Sequence, residues 1–142
     1  MSQNPFAGTW TYRSFRNDPT RPYGDEAKLY DYAKLYFGSG ELVIYDTAIG
    51  QIEGQLTLRS DYAFKLQGYC TLGNPFTIRF QGVGNAPESM GQKYDYLGYL
   101  SPRWPNGMEQ LPAILGTIVR TLRPDNPKLE GYVASWIAVK WD

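Results

Sequence analysis

A chain of 142 residues, 42% apolar and 20% charged, is long enough for one domain with a real core and too apolar for disorder. Its 14 basic and 14 acidic residues balance, which leaves no electrostatic footprint for nucleic acid or an anionic membrane, and no apolar run approaches the roughly 18 residues a membrane helix needs. Histidine is absent and Cys70 is alone, which excludes His-ligated haem, His-rich zinc or copper sites, imidazole triads, thiolate clusters and an internal disulfide. No metal and no cofactor are therefore expected. Met1–Phe6 carries neither the charged nor the apolar region of a secretory signal, so a cytoplasmic location is the expectation.

Short strand signals follow one another along the chain, separated by Gly, Pro, Asn and Asp. They predict strands near 8–16, 33–37, 41–46, 50–59, 62–70, 75–83, 93–101, 113–122 and 131–141. The first opens on Gly8-Thr9-Trp10. Residues 17–32 interrupt the pattern: Asn17–Gly24 reads as a loop, and Asp25–Tyr32 as a further loop or as one or two helical turns capped by Asp25. Phe37-Gly38-Ser39-Gly40-Glu41 and Leu58-Arg59-Ser60-Asp61-Tyr62 read as hairpin turns, and Gly73-Asn74-Pro75 as a break. Strands joined this briefly form a meander. Eight or nine of them close most economically into a single antiparallel up-and-down β-barrel, which removes the sheet edges.

Alternation separates the faces. Ile52, Gly54, Leu56 and Leu58 oppose Gln51, Glu53, Gln55 and Thr57, and Tyr62, Phe64 and Leu66 oppose Lys65 and Gln67. Phe76, Ile78 and Phe80 oppose Thr77, Arg79 and Gln81. The last three strands, 93–101, 113–122 and 131–141, are apolar on both faces. Ile114 and Ile118 back onto Leu115 and Val119, and Ala134, Trp136 and Ala138 back onto Val133, Ile137 and Val139. One face must line the barrel. The other calls for a cover, either a second copy of the chain or the 17–32 insert, and a homo-oligomer through these strands is the expectation.

Gly8-Thr9-Trp10, the meander and the chain length together resemble the calycin superfamily, and the avidins more than the lipocalins. The resemblance implies that Trp10 plugs one end of the barrel, that Tyr12, Ser14 and Arg16 point into the lumen, and that Lys140 packs on Trp10. It also places Trp104, in a Pro-bounded loop, over a ligand, and the late strands in a subunit interface. Tyr12 stands where avidins carry an Asn that reads biotin, so biotin is not expected.

The candidate ligand-binding residues are Tyr12, Ser14, Arg16, Tyr94, Tyr96, Trp104, Arg120 and Trp136. Arg120 shares the Ile114–Ile118 face. If that face is inside, it is a buried cation in need of an acceptor, with Asp95 and Glu53 the nearest strand-borne carboxylates. Three functions stand open: a lumen that binds a small apolar or aromatic molecule, a histidine-free cyclase or isomerase using Tyr12, Arg120, Asp95 and Glu53, or a filled interaction barrel. A lumen plugged by Phe64, Phe76, Phe80 and Trp136 would remove the first two.

Overall fold

The computed structural model describes residues 4–17, 36–48, 50–102, 105–107 and 110–141. The helix or loop expected over 17–32 lies outside these residues except for Asn17, and so does Trp104. Eight strands run in chain order: β1 (Gly8–Arg16), β2 (Tyr36–Ile44), β3 (Gln51–Arg59), β4 (Tyr62–Thr71), β5 (Thr77–Gly84), β6 (Lys93–Leu100), β7 (Ala113–Leu122) and β8 (Val133–Lys140). Each pairs antiparallel with the next, and β8 returns to pair with β1, closing an up-and-down barrel. A short 3-10 turn, Pro127–Leu129, sits in the β7–β8 connection. No helix among the described residues is long and apolar enough to cross a membrane.

Among the described residues eight strands form rather than nine, because 37–41 is not a turn; the expected 33–37 strand lies outside them before Tyr36. Phe37–Glu41 runs inside β2, with Gly38 opposite Ser14 and Gly40 opposite Tyr12. The glycines answer a packing need. A Cβ on Gly40 would stand 2.1 Å from the Thr57 carbonyl oxygen of β3, so only a bare backbone fits there. The 58–62 turn and the break at 73–75 fall where expected, the former joining β3 to β4 through an Arg59–Tyr62 pairing.

Alternation holds through most of the barrel, with Ala63 beside Phe64 in β4 an exception. In β3–β5 the inner positions Ile52, Leu56, Phe64, Leu66, Ile78 and Phe80 are buried, while Gln51, Glu53, Lys65, Gln67, Arg79 and Gln81 are exposed. The late strands turn Tyr94, Tyr96, Ile114, Ile118, Ala134, Trp136 and Ala138 inward. On their outer face Leu97, Tyr99 and Val133 are each more than two-fifths exposed, and Leu115, Val119, Ile137 and Val139 are half-buried. Cys70 is buried among the core residues, as a small apolar side chain.

The barrel end at the start of β1 is packed shut. Trp10 is fully buried and its indole N–H donates to the Phe6 carbonyl at 2.9 Å. Lys140 holds its ammonium 5.1 Å from the Trp10 ring and donates to the Ala7 carbonyl at 2.6 Å. Gly8 makes this possible. It adopts φ +133°, and a Cβ there would meet the Lys140 ammonium at 2.6 Å.

Candidate ligand-binding site

The packed half ends in an aromatic layer. Tyr96 stacks on Phe80 at 4.6 Å, and Trp136 stands edge-on to both, at 5.8 and 5.9 Å. Tyr12 completes the layer, 5.9 Å from Trp136 and 6.4 Å from Tyr96. Gly98 pairs with Gly116, and Gly116 with Trp136 on the next strand, and the two glycines leave the slot its indole fills. A Cβ on Gly98 would come within 2.8 Å of Cζ2. The indole N–H donates to the Thr117 carbonyl at 3.0 Å.

Above this layer the barrel is open. A cavity of about 490 Å³ lies at the end formed by the close of β1, the β3–β4 hairpin and the close of β7. Ligand pockets run from roughly 300 to 1,000 Å³. Six of the eight candidate residues meet on its wall: Tyr12, Ser14, Arg16, Tyr94, Tyr96 and Arg120. Trp136 does not. It lies under Tyr12 and Tyr96, held there by the glycine slot in β6 and β7. Trp104 lies outside the described residues.

Tyr62, Phe64, Phe37, Leu58 and Arg59 also line the cavity and were not among the candidates. Tyr62, Phe64 and Leu58 carried a usable signal, since they share the inner face of their strands. Phe37 was hidden by the reading of 37–41 as a turn.

Burial tunes the phenols. It pushes the Tyr12 hydroxyl up to about 12, with the neighbouring Ser14 and Tyr96 hydroxyls lowering it in part. Burial likewise raises Tyr96 well above the ordinary phenol value. Tyr62 is raised by burial and by its hydroxyl neighbour Tyr94. All three stay neutral near pH 7.

Arg120 is buried without the carboxylate the sequence reading sought for it. Asp95 points outward and accepts from Gln81 at 3.2 Å, and Glu53 is likewise on the outer face. Alternation puts both on the faces opposite Tyr94, Tyr96 and Ile52, so neither can turn into the lumen. Arg120 instead donates from Nε to the Tyr94 hydroxyl at 3.0 Å and from Nη1 to the Leu129 carbonyl at 3.4 Å. Three rings surround its guanidinium: Phe37 at 5.2 Å, Tyr132 at 5.5 Å and Tyr94 at 5.7 Å. Among the described residues, the cavity wall carries Arg16, Arg59 and Arg120 and no carboxylate. Arg59 is paired at the rim with Asp61 at 2.8 Å. No cluster of metal-ligating side chains occurs among the described residues. No family model, curated protein or solved structure matches the chain.

Proposed function

We propose that this barrel binds a small, largely apolar or aromatic molecule in the open half of its lumen. The observation that carries the reading is the division of the lumen itself. A packed core ending in an aromatic layer fills one half, and the other half holds a ring-lined cavity of pocket size over it. Burying about 200 Å² of aromatic ligand contributes about 5 kcal/mol before ordering costs. Micromolar binding, at about 8 kcal/mol, then requires polar contacts from the wall as well.

Binding is favoured over catalysis by the state of the ionisable groups. A cyclase or isomerase needs a proton donor or acceptor poised near working pH. Burial shifts Tyr12, Tyr62 and Tyr96 further from that range, and Asp95 and Glu53, the carboxylates that reading relied on, face outward.

The outer face of β6–β8 supports a second element of the proposal, a homo-oligomer in which this face is covered by another copy. Leu97, Tyr99, Leu115, Ile137 and Val139 adjoin one another there through the strand register. A calycin-like, avidin-like relationship and a cytoplasmic location complete the proposal.

A cavity plug tests the binding reading. Gly38 lines the cavity, and the nearest atoms a Cβ there would meet belong to the Leu58 and Ser14 side chains, at 3.5 Å. Gly38→Phe therefore places a ring in the cavity without striking backbone. Phenylnaphthylamine, a neutral aromatic probe, is expected to bind the wild-type protein saturably with a fluorescence rise. The same titration of Gly38→Phe should lose it while the circular dichroism of the barrel is kept. Absence of saturable binding to the wild type, or equal binding to the plugged variant, refutes the reading.

A further inference from the structure

We infer that the cavity selects aromatic molecules bearing an anionic oxygen group, a carboxylate or sulfonate, and that Arg120 is the residue that reads this group. The inference rests on the proposed binding function and adds the charge of the ligand to it.

The direction of the hydrogen bonds around Arg120 carries the argument. The Gln92 amide donates from Nε2 to the Glu88 carbonyl at 3.2 Å, which turns its Oε1 toward Tyr62. Oε1 can only accept, so the single phenolic proton of Tyr62 is committed to it, at 2.6 Å. The Tyr62 oxygen is then left to accept from the Tyr94 hydroxyl, 3.4 Å away. The Tyr94 oxygen in turn accepts from Arg120 Nε at 3.0 Å. The chain runs one way, from Arg120 through Tyr94 and Tyr62 to Gln92. Both phenolic protons are consumed inside it.

Arg120 has five N–H donors, and this chain and the Leu129 carbonyl engage only Nε and Nη1. Nη2 has no hydrogen-bond partner among the described residues, although no buried side-chain nitrogen or oxygen there is left unsatisfied. Its unused donors therefore meet the open cavity that Arg120 lines. The rings of Phe37, Tyr94 and Tyr132 stabilise the cation but, beyond the Tyr94 hydroxyl already bound to Nε, offer nothing to its remaining in-plane N–H groups. A planar guanidinium with free in-plane donors, in a cavity wall without a described carboxylate, is complementary to an anionic oxygen pair. Arg120 is only 8% exposed, so a neutral ligand that covers its remaining donors would leave the charge uncompensated, which makes the match selective.

A matched pair of probes separates this inference from the reading beneath it. Phenylnaphthylamine and anilinonaphthalene sulfonate share an aromatic frame and differ by the sulfonate. The wild-type protein is expected to bind the sulfonate about tenfold or more tightly than the neutral probe, the range of a charge-assisted hydrogen bond. Arg120→Gln should bring that ratio close to one. The ratio, unlike either affinity, cancels changes of cavity shape that both probes feel. If Arg120→Gln does not fold, Arg120→Lys retains the charge without the fork, and the ratio should fall at least about threefold. A wild-type ratio of one or below overturns the inference. So does an unchanged ratio in the variants, which would assign the preference to Arg16 or Arg59 at the rim. Either result leaves apolar binding standing. Failure of both probes to bind removes the underlying reading instead.

Discussion

Tyr12 shows how one side chain joins fold to site. Its ring is part of the layer that closes the packed half, and the same residue lines the cavity above. Burial holds the phenol neutral up to about pH 12, whereas in the unfolded chain it ionises near 10. The folded state therefore binds the proton more tightly, and its contribution is intact below pH 10. Stability should fall as pH rises from 10 through 12, by about 3 kcal/mol from Tyr12. An alkaline titration of phenolate absorbance, run beside urea unfolding at each pH, measures both. Uniform ionisation of every tyrosine near pH 10 in the native protein would contradict the buried placement. Glycine positions are as sharply defined. Gly40→Ala drives a Cβ into the Thr57 carbonyl and should cost about 3 kcal/mol, whereas Gly38→Ala meets only ordinary contacts and should stay within about 1 kcal/mol. Denaturant midpoints of the two variants decide this. Equal midpoints would mean that the spacing of β2 and β3 is not what excludes a side chain.

Among the elements, β1 and β8 close the barrel, and Lys140 ties them together. Lys140→Met removes the hydrogen bond to the Ala7 carbonyl and the cation over Trp10. A loss of about 1–2 kcal/mol is expected in thermal or urea unfolding, and no loss would show the contact to be incidental. The middle strands β3, β4 and β5 were legible in the sequence because their two faces differ in polarity, so period-two alternation names the inside. β2 was misread for a definite reason. Glycine serves both turns and close strand crossings, and Gly38-Ser39-Gly40 gives no local sign of which applies, since the Thr57 backbone that excludes a Cβ lies on another strand. In β6–β8 both faces are apolar, so local pattern named neither as inner. The lumen needed Trp136, and the small residues Gly98 and Gly116 beside it made the room. Alternation put Arg120 on the face of Ile114 and Ile118 without naming that face as inner, and its partners Tyr94 and Leu129 follow from register and from the 127–129 turn, which no single-strand pattern carries. The outward side of these strands makes its own prediction. Sedimentation should show more than one chain in the wild-type particle, and Leu97→Lys with Tyr99→Lys should give a single folded chain. A wild-type monomer would contradict the proposed interface.

At the scale of the whole molecule, the barrel divides its interior by use. Trp10, Phe6 and the aliphatic core fill one end, an aromatic layer crosses the middle, and the remaining space is walled by rings with a guanidinium among them. The packed half supports the layer, and the layer is the floor on which a planar ligand would rest. That division is the central claim, and native mass spectrometry of the protein purified from its own host tests it most directly. The expected result is an oligomer whose chains each retain a small aromatic molecule, and the same oligomer without that mass when Gly38→Phe plugs the cavity. Bare single chains, indistinguishable between the wild type and the plugged variant, would contradict it.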